Sequence, residues 1–232
     1  MPWPLLLGPN NWWAFILVTA AILVVLRLLF GRQWTDYTGL NLSRTHFIIV
    51  VAAFGAIAMG SKMLLSFVYA AARLKAIAPD LTGQFGFLFQ AFNEEILFRA
   101  LLIGFVLQFV RSAFLVSLGL AVFFSAVHFL MYRFTNPMHL ALSAAALATL
   151  LLAGVAMNNL YLAFRHIGFS WALHAGWNVV WLPAAIYDAS TNARLYEPQI
   201  FDRVLGSPPM VATACVVALL SLLPLSSLRG SA

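Results

Sequence analysis

The stretch that most limits what this chain can become is WWAFILVTAAILVVLRLLF, Trp12 to Phe30, in which Arg27 is the lone charge. A helix needs roughly 20 apolar residues to cross bilayer hydrocarbon. Runs of that kind recur at about Phe47–Ala72, Phe85–Val110, Ala113–Leu130 and Leu140–Phe164. A shorter run starts at Trp171, and a last one covers about Pro208–Leu225. The chain is 63% hydrophobic and 9% charged, against about a quarter charged in an ordinary soluble domain. It has too few polar residues to cover a water-soluble globule. The expected fold is all-α, a polytopic integral membrane protein of about seven transmembrane helices.

Within that frame the chain divides into N-terminal transmembrane helices over 1–84, a core over 85–186, and a polar loop with a last transmembrane helix over 187–232. The opening MPWPLLLGPNNWW has no basic leader, so the first apolar run reads as a retained span. The stretch YDASTNARLYEPQIFDRVLGS, 187–207, is the longest polar segment and reads as a loop. Net charge is +6, but Lys and Arg are scattered singly between apolar runs, which suits lipid headgroups. No basic cluster supports nucleic-acid binding. Cys215 is the single cysteine, so neither an internal disulfide nor a cysteine zinc site is available.

Against this background AFNEEILFRALLIGF, residues 91–105, stands out. A charge at mid-bilayer costs about 2.5–3.5 kcal/mol, so ionisable residues inside spans are candidates for function. Glu95 and Arg99 are four apart, share one helical face and are in the favourable order for an ion pair. Glu94 is turned about 100° away and is expected to lack a local partner. Two further spans each carry a polar group: FFSAVHFL puts Phe124 four residues before His128, and HAGWN puts His174 four before Asn178. Ala175 and Gly176 allow close approach of a neighbouring helix. Lys62 and His139 are assigned to interfaces and set aside.

Each group alone is compatible with helix-to-helix hydrogen bonding. Together they hold the parts of a hydrolytic site. A carboxylate in an apolar setting suits a general base, an opposing histidine can hold the attacking water, and a His–Asn pair can donate to a developing oxyanion. Ser125 lacks the sequence context of a nucleophile.

Glu94-Glu95-x-x-x-Arg99, Phe124-x-x-x-His128 and His174-x-x-x-Asn178, in that order, resemble the three signature motifs of the CPBP family. These are the CAAX proteases and bacteriocin-processing enzymes, also called Abi. The resemblance spans about residues 85–186. It implies an intramembrane endopeptidase with a four-helix catalytic core around a water-accessible cavity. Its substrate would be a membrane-embedded or lipidated protein or peptide, in a bacterial or archaeal cell membrane. By that resemblance Glu94 and His128 activate the water, and His174 and Asn178 form the oxyanion hole. Glu95, Arg99 and Phe124 support them. No cofactor is expected, with zinc on Glu94, His128 and His174 as the alternative, since three protein ligands are enough for catalytic zinc. Other readings of the same cluster are a non-catalytic immunity or binding protein, a proton-relaying transporter, and a bis-histidine haem protein on His128 and His174.

Overall fold

A computed structural model describes residues 12–41, 43–76, 81–135, 141–181 and 186–224. Helix α1 is Trp12–Phe30. A 3-10 turn at Gly31–Gln33 leads into the short α2, Trp34–Thr38. Helix α3, Arg44–Ala72, is the longest, and the Ser43 side chain caps it by accepting from His46 N–H. Helix α4, Leu81–Glu95, continues as a wider π-wound segment, Ile96–Ile103, and a last α turn, Gly104–Val106. Helix α5, Ala113–Leu130, also ends in π winding at Met131–Thr135. Helices α6, Ala144–Phe164, and α7, Ile167–Trp181, complete the site-bearing set. Beyond them lie α8, Glu197–Leu205, and α9, Pro208–Leu220.

A helix therefore occupies each position expected to span, but length and composition carry fewer crossings than seven. Among the described residues four helices are long and apolar enough: Ile16–Asp36, Arg44–Ala72, Ala113–Phe134 and Ala144–Phe164. A fifth is added if Pro198–Leu205 and Pro208–Pro224, bent by 64°, count as one broken span. Two of the expected spans do not meet that test among the described residues, each for a physical reason. Helix α4 carries Gln90, Asn93, Glu94 and Glu95, and α7 has only 15 residues. These are the helices that carry the acids and His174. His139 and residues 1–11 lie outside the described residues.

The outer surface is that of a protein solvated by lipid. Leu28, Phe109 and Met63 are more than two-thirds exposed, a pattern that in water would mark an aggregating surface. Since lipid is as apolar as leucine, helix association here rests on close packing and interhelical hydrogen bonds. Both are present. Helix α7 packs closely on α3, where a side chain at Gly176 would meet Ile57 and the Phe54 carbonyl at 3.0–3.2 Å. Gly154 of α6 lies as close to Ala121 of α5. Thr19 donates to Asn93 at 2.7 Å to tie α1 to α4, and Trp171 donates to the Leu88 carbonyl at 3.1 Å to tie α7 to α4. On α6, Asn159 accepts from Ser117 of α5 and donates to Ser221 beyond α9.

The start of α7 is fixed by two neighbours. Gly39, at φ 62°, lets the backbone pass so close to Arg165 that a Cβ would lie 2.5 Å from its carbonyl oxygen. The His166 imidazole then caps the helix, its Nδ1 accepting from Gly168 N–H at 2.8 Å. Burial, and the nearby His46, push the His166 pKa down, which matches an acceptor role.

The polar segment expected to be a loop is in large part ordered secondary structure. Strand β2, Ile186–Asp188, pairs antiparallel with β1, Leu74–Ala76, which follows α3. Helix α8 comes next. EPQIFDRVL does carry a helical alternation of apolar and polar residues, masked on average by its charges. The segment is pinned at Asp188, whose carboxylate accepts from the Ser190 hydroxyl, from Arg203 and from the N–H groups of Thr191 and Ser190. Those donors hold its carboxyl well below the usual carboxylate range. A carboxylate whose pKa folding depresses adds stability above its unfolded value, about 3.9, and withdraws it as pH falls through the folded value. Asp188→Asn is therefore expected to melt below the wild type at pH 7. The gap in thermal midpoint should close as the pH is taken below about 4.

Candidate active site

Four helices converge on one buried cation. Arg99, fully buried at the start of the π-wound part of α4, pairs through Nη1 with Glu95 Oε1 at 3.0 Å. Its Nε donates to Asn158 Oδ1 on α6 at 3.1 Å. The guanidinium carbon lies 4.8 Å from the centre of the Phe124 ring on α5, within cation–π range. Asn158 in turn donates to the Ser117 carbonyl at 2.8 Å. Thus the ion pair expected from i,i+4 spacing forms, and it is extended sideways into a network. Asn158 is a member that charge-based reading misses, although two adjacent asparagines in the apolar run AGVAMNNLYL are a visible signal.

Glu95 has a second partner. The same Oε1 accepts from His174 Nδ1 at 2.8 Å, so the α7 histidine is oriented by the acid that neutralises Arg99. A carboxylate only accepts, so Nδ1 carries the proton and Nε2 faces the other way. Glu94 Oε2 lies 3.8 Å from that Nε2, longer than a direct hydrogen bond but a span one water can bridge.

Glu94 was expected to lack a local partner, and half of that holds. Gln90, one turn earlier on α4, donates to Oε1 at 3.0 Å. Oε2 is buried without a hydrogen-bond partner. Glu94 is thus held by one oxygen and open at the other, with its side chain 21% exposed against 0% for Glu95. The adjacent acids have divided roles by burial.

His128 on α5 joins the cluster from the other side. Its Nδ1 bonds the Phe124 carbonyl at 2.9 Å, one turn back, which puts the proton on Nδ1 and leaves Nε2 with its lone pair free. Phe124 lies among the side chains of the cluster: its ring centre is 4.4 Å from that of His128, 6.4 Å edge-on from that of His174, and 5.1 Å from that of Phe98. Motif spacing assigns Phe124 only a supporting place; its ring is the floor on which the histidines and Arg99 meet. Asn178 lies one turn beyond His174, half-buried, and makes no hydrogen bond among the described residues.

A site of two acids and two histidines invites a metal. Among the described residues, however, no three His, Cys, Asp or Glu side chains are grouped closely enough to hold one. Both Nδ1 atoms are committed to protein acceptors and Glu95 is committed to Arg99, which leaves the two Nε2 atoms and Glu94 Oε2 as the uncommitted atoms of the cluster.

A family model described as type II CAAX prenyl endopeptidase Rce1-like matches residues 81–180, from the start of α4 into the last turn of α7. No curated protein and no solved structure matches the chain.

The geometry makes a definite prediction about stability. Removing one member of a buried, hydrogen-bonded pair strands the other charge, at about 3–5 kcal/mol. Arg99→Met should therefore unfold readily in detergent, seen as a large fall in thermal midpoint. Replacing both members, Glu95→Leu with Arg99→Met, should recover part of the loss.

Proposed function

We propose that this chain, whose residues 81–180 match the Rce1-like type II CAAX prenyl endopeptidase model, is an intramembrane peptide hydrolase in which Glu94 and His128 activate the water that attacks the peptide bond. The observation that carries the reading is the open, buried Glu94 Oε2 beside two histidines whose Nδ1 atoms are already occupied. Water bound between Glu94 Oε2 and His128 Nε2 gives its proton to the carboxylate as its oxygen attacks the carbonyl carbon. His128 accepts the second water hydrogen and fixes the lone pair in line. A general base has to lie within hydrogen-bond reach of the proton it takes, and the oxygen of Glu94 that no protein donor occupies is the one left for that water.

As the carbonyl oxygen gains charge, Asn178 Nδ2 and His174 Nε2 donate to it. That role needs a proton on Nε2 of His174 in addition to the one that Glu95 holds on Nδ1. Preorganised donors of this kind are worth about 10²–10³ in rate each. Glu94 then returns its proton to the leaving amine, and the peptide departs as two fragments. Glu95 and Arg99 touch no reacting atom in this scheme; they orient His174. The substrate is a membrane-associated protein or peptide, and the name of the matched family makes a prenylated C-terminal segment the first to try.

The test is cleavage of a farnesylated CAAX peptide by purified protein in lipid nanodiscs. Glu94→Gln and His128→Ala should each cut the rate by about 10²–10⁴, and Asn178→Ala by about 10²–10³, all with wild-type melting behaviour. Full activity in both of the first two would overturn the assignment of Glu94 and His128 as the water-activating pair. Zinc content is measured on the same preparation, and stoichiometric zinc whose removal by a chelator stops cleavage would replace this scheme with a metal-assisted one. An immunity or binding function without turnover would instead leave the cellular phenotype of Glu94→Gln intact.

A further inference from the structure

Helix α8 lies outside the matched residues, yet it reaches the proposed site. Phe201, midway along it, lies parallel to the His128 ring, with centres 6.2 Å apart and planes 4° apart. The same ring stacks on Tyr132 at 4.6 Å and 18°. His128 is thus flanked by Phe124 on its own helix and by Phe201 from a segment distant in sequence. Nδ1 is tied to the Phe124 carbonyl, which leaves Nε2 as the ring nitrogen without a protein acceptor.

The position of Phe201 is set firmly from behind. Asp202 accepts from Ser143 N–H at 2.6 Å, at the start of α6. Arg203 pairs with Asp188 at the end of β2. The Leu205 carbonyl accepts from Thr149 at 2.8 Å, and Val204 and Leu205 are buried in the core. Three anchors on neighbouring residues are more than a surface helix needs to stay attached. They fix one aromatic side chain, itself half-buried, beside one histidine.

Resting on the reading of Glu94 and His128 as the hydrolytic pair, we propose that Phe201, with Tyr132, is the specificity wall of the site: it receives the apolar side chain next to the scissile bond. On this proposal a peptide that brings its carbonyl to His128 meets the Phe201 and Tyr132 rings, an aromatic surface. An aliphatic side chain there is desolvated against them, whereas a small or charged one gains nothing. Shape differences of one or two methylenes in such a pocket discriminate by about 10–200-fold.

The experiment uses the full chain in nanodiscs and a farnesylated peptide series in which the residue after the scissile bond is Ala, Val, Leu or Asp. For Phe201→Ala the loss in kcat/KM should be about tenfold or more for Leu, smaller for Val and least for Ala, and it should fall mainly on KM. Phe201→Trp, which narrows the space, should move the preference toward Val. A loss equal for all four peptides would make Phe201 a mere prop for α8 and overturn the proposal, as would no loss at all. Binding of the same labelled peptides to Glu94→Gln, with and without Phe201→Ala, reads the wall without turnover. A graded effect there, in a protein whose wild type cleaves nothing, would overturn the hydrolytic reading and keep the wall. An ungraded effect there beside active wild type would do the reverse.

Discussion

Everything in the core of this protein is arranged around a guanidinium with no access to solvent. Arg99 could not be carried inside the bundle alone, since an unpaired buried charge costs several kcal/mol. Its compensation comes from α4 itself through Glu95, from α6 through Asn158 and from the Phe124 ring of α5. Glu95 passes the constraint on to α7 by holding His174. One charge thereby fixes the relative positions of four helices that lipid alone would not hold together, since hydrocarbon gives apolar helix faces no reason to prefer each other. The order demanded by the charge is the order a catalytic site needs.

Much of this is legible in the residues because membrane proteins use charges sparingly. Glu95 and Arg99 are recognisable as a pair from spacing, and Ala175 and Gly176 as a close-packing surface, because both follow from helix periodicity within one stretch of sequence. What cannot be read is which helix faces which. Asn158 and Phe201 become partners of Arg99 and His128 only through tertiary packing. Gln90 is within reach of the same i,i+4 reasoning that finds the ion pair, but an amide among apolar residues draws less notice than a charge. The stretch 187–207 misleads for a different reason: an amphipathic helix and a short strand paired with a distant one look polar when averaged, although each buries one face. Among the described residues α4 and α7 fall short of a span by length and composition, since a helix that carries a polar site loses the apolar character by which spans are recognised.

The π winding that begins at Ile96 belongs to the same account. Wide turns are rare and concentrate at functional sites. Here the change falls directly after Glu95, so the two acids sit at the end of regular α geometry while Arg99 sits in the wider turn. The i,i+4 pairing survives that change, whereas the faces presented after Glu95 no longer follow from a 3.6-residue repeat.

The compensation of Arg99 by Glu95 also has an electrical consequence. With that pair neutral as a unit, the proposed reaction begins with the Glu94 carboxylate facing a doubly protonated His174 and passes to an oxyanion facing the same imidazolium, so the net charge of the cluster is unchanged because the proton only changes hands inside the cavity. In that scheme no charge crosses the bilayer during turnover. Carrying a full charge across would couple the rate to membrane voltage at about 2.3 kcal/mol per 100 mV; an electroneutral proton exchange confined to one buried cluster lets the enzyme run at the same speed whether the membrane is energised or not.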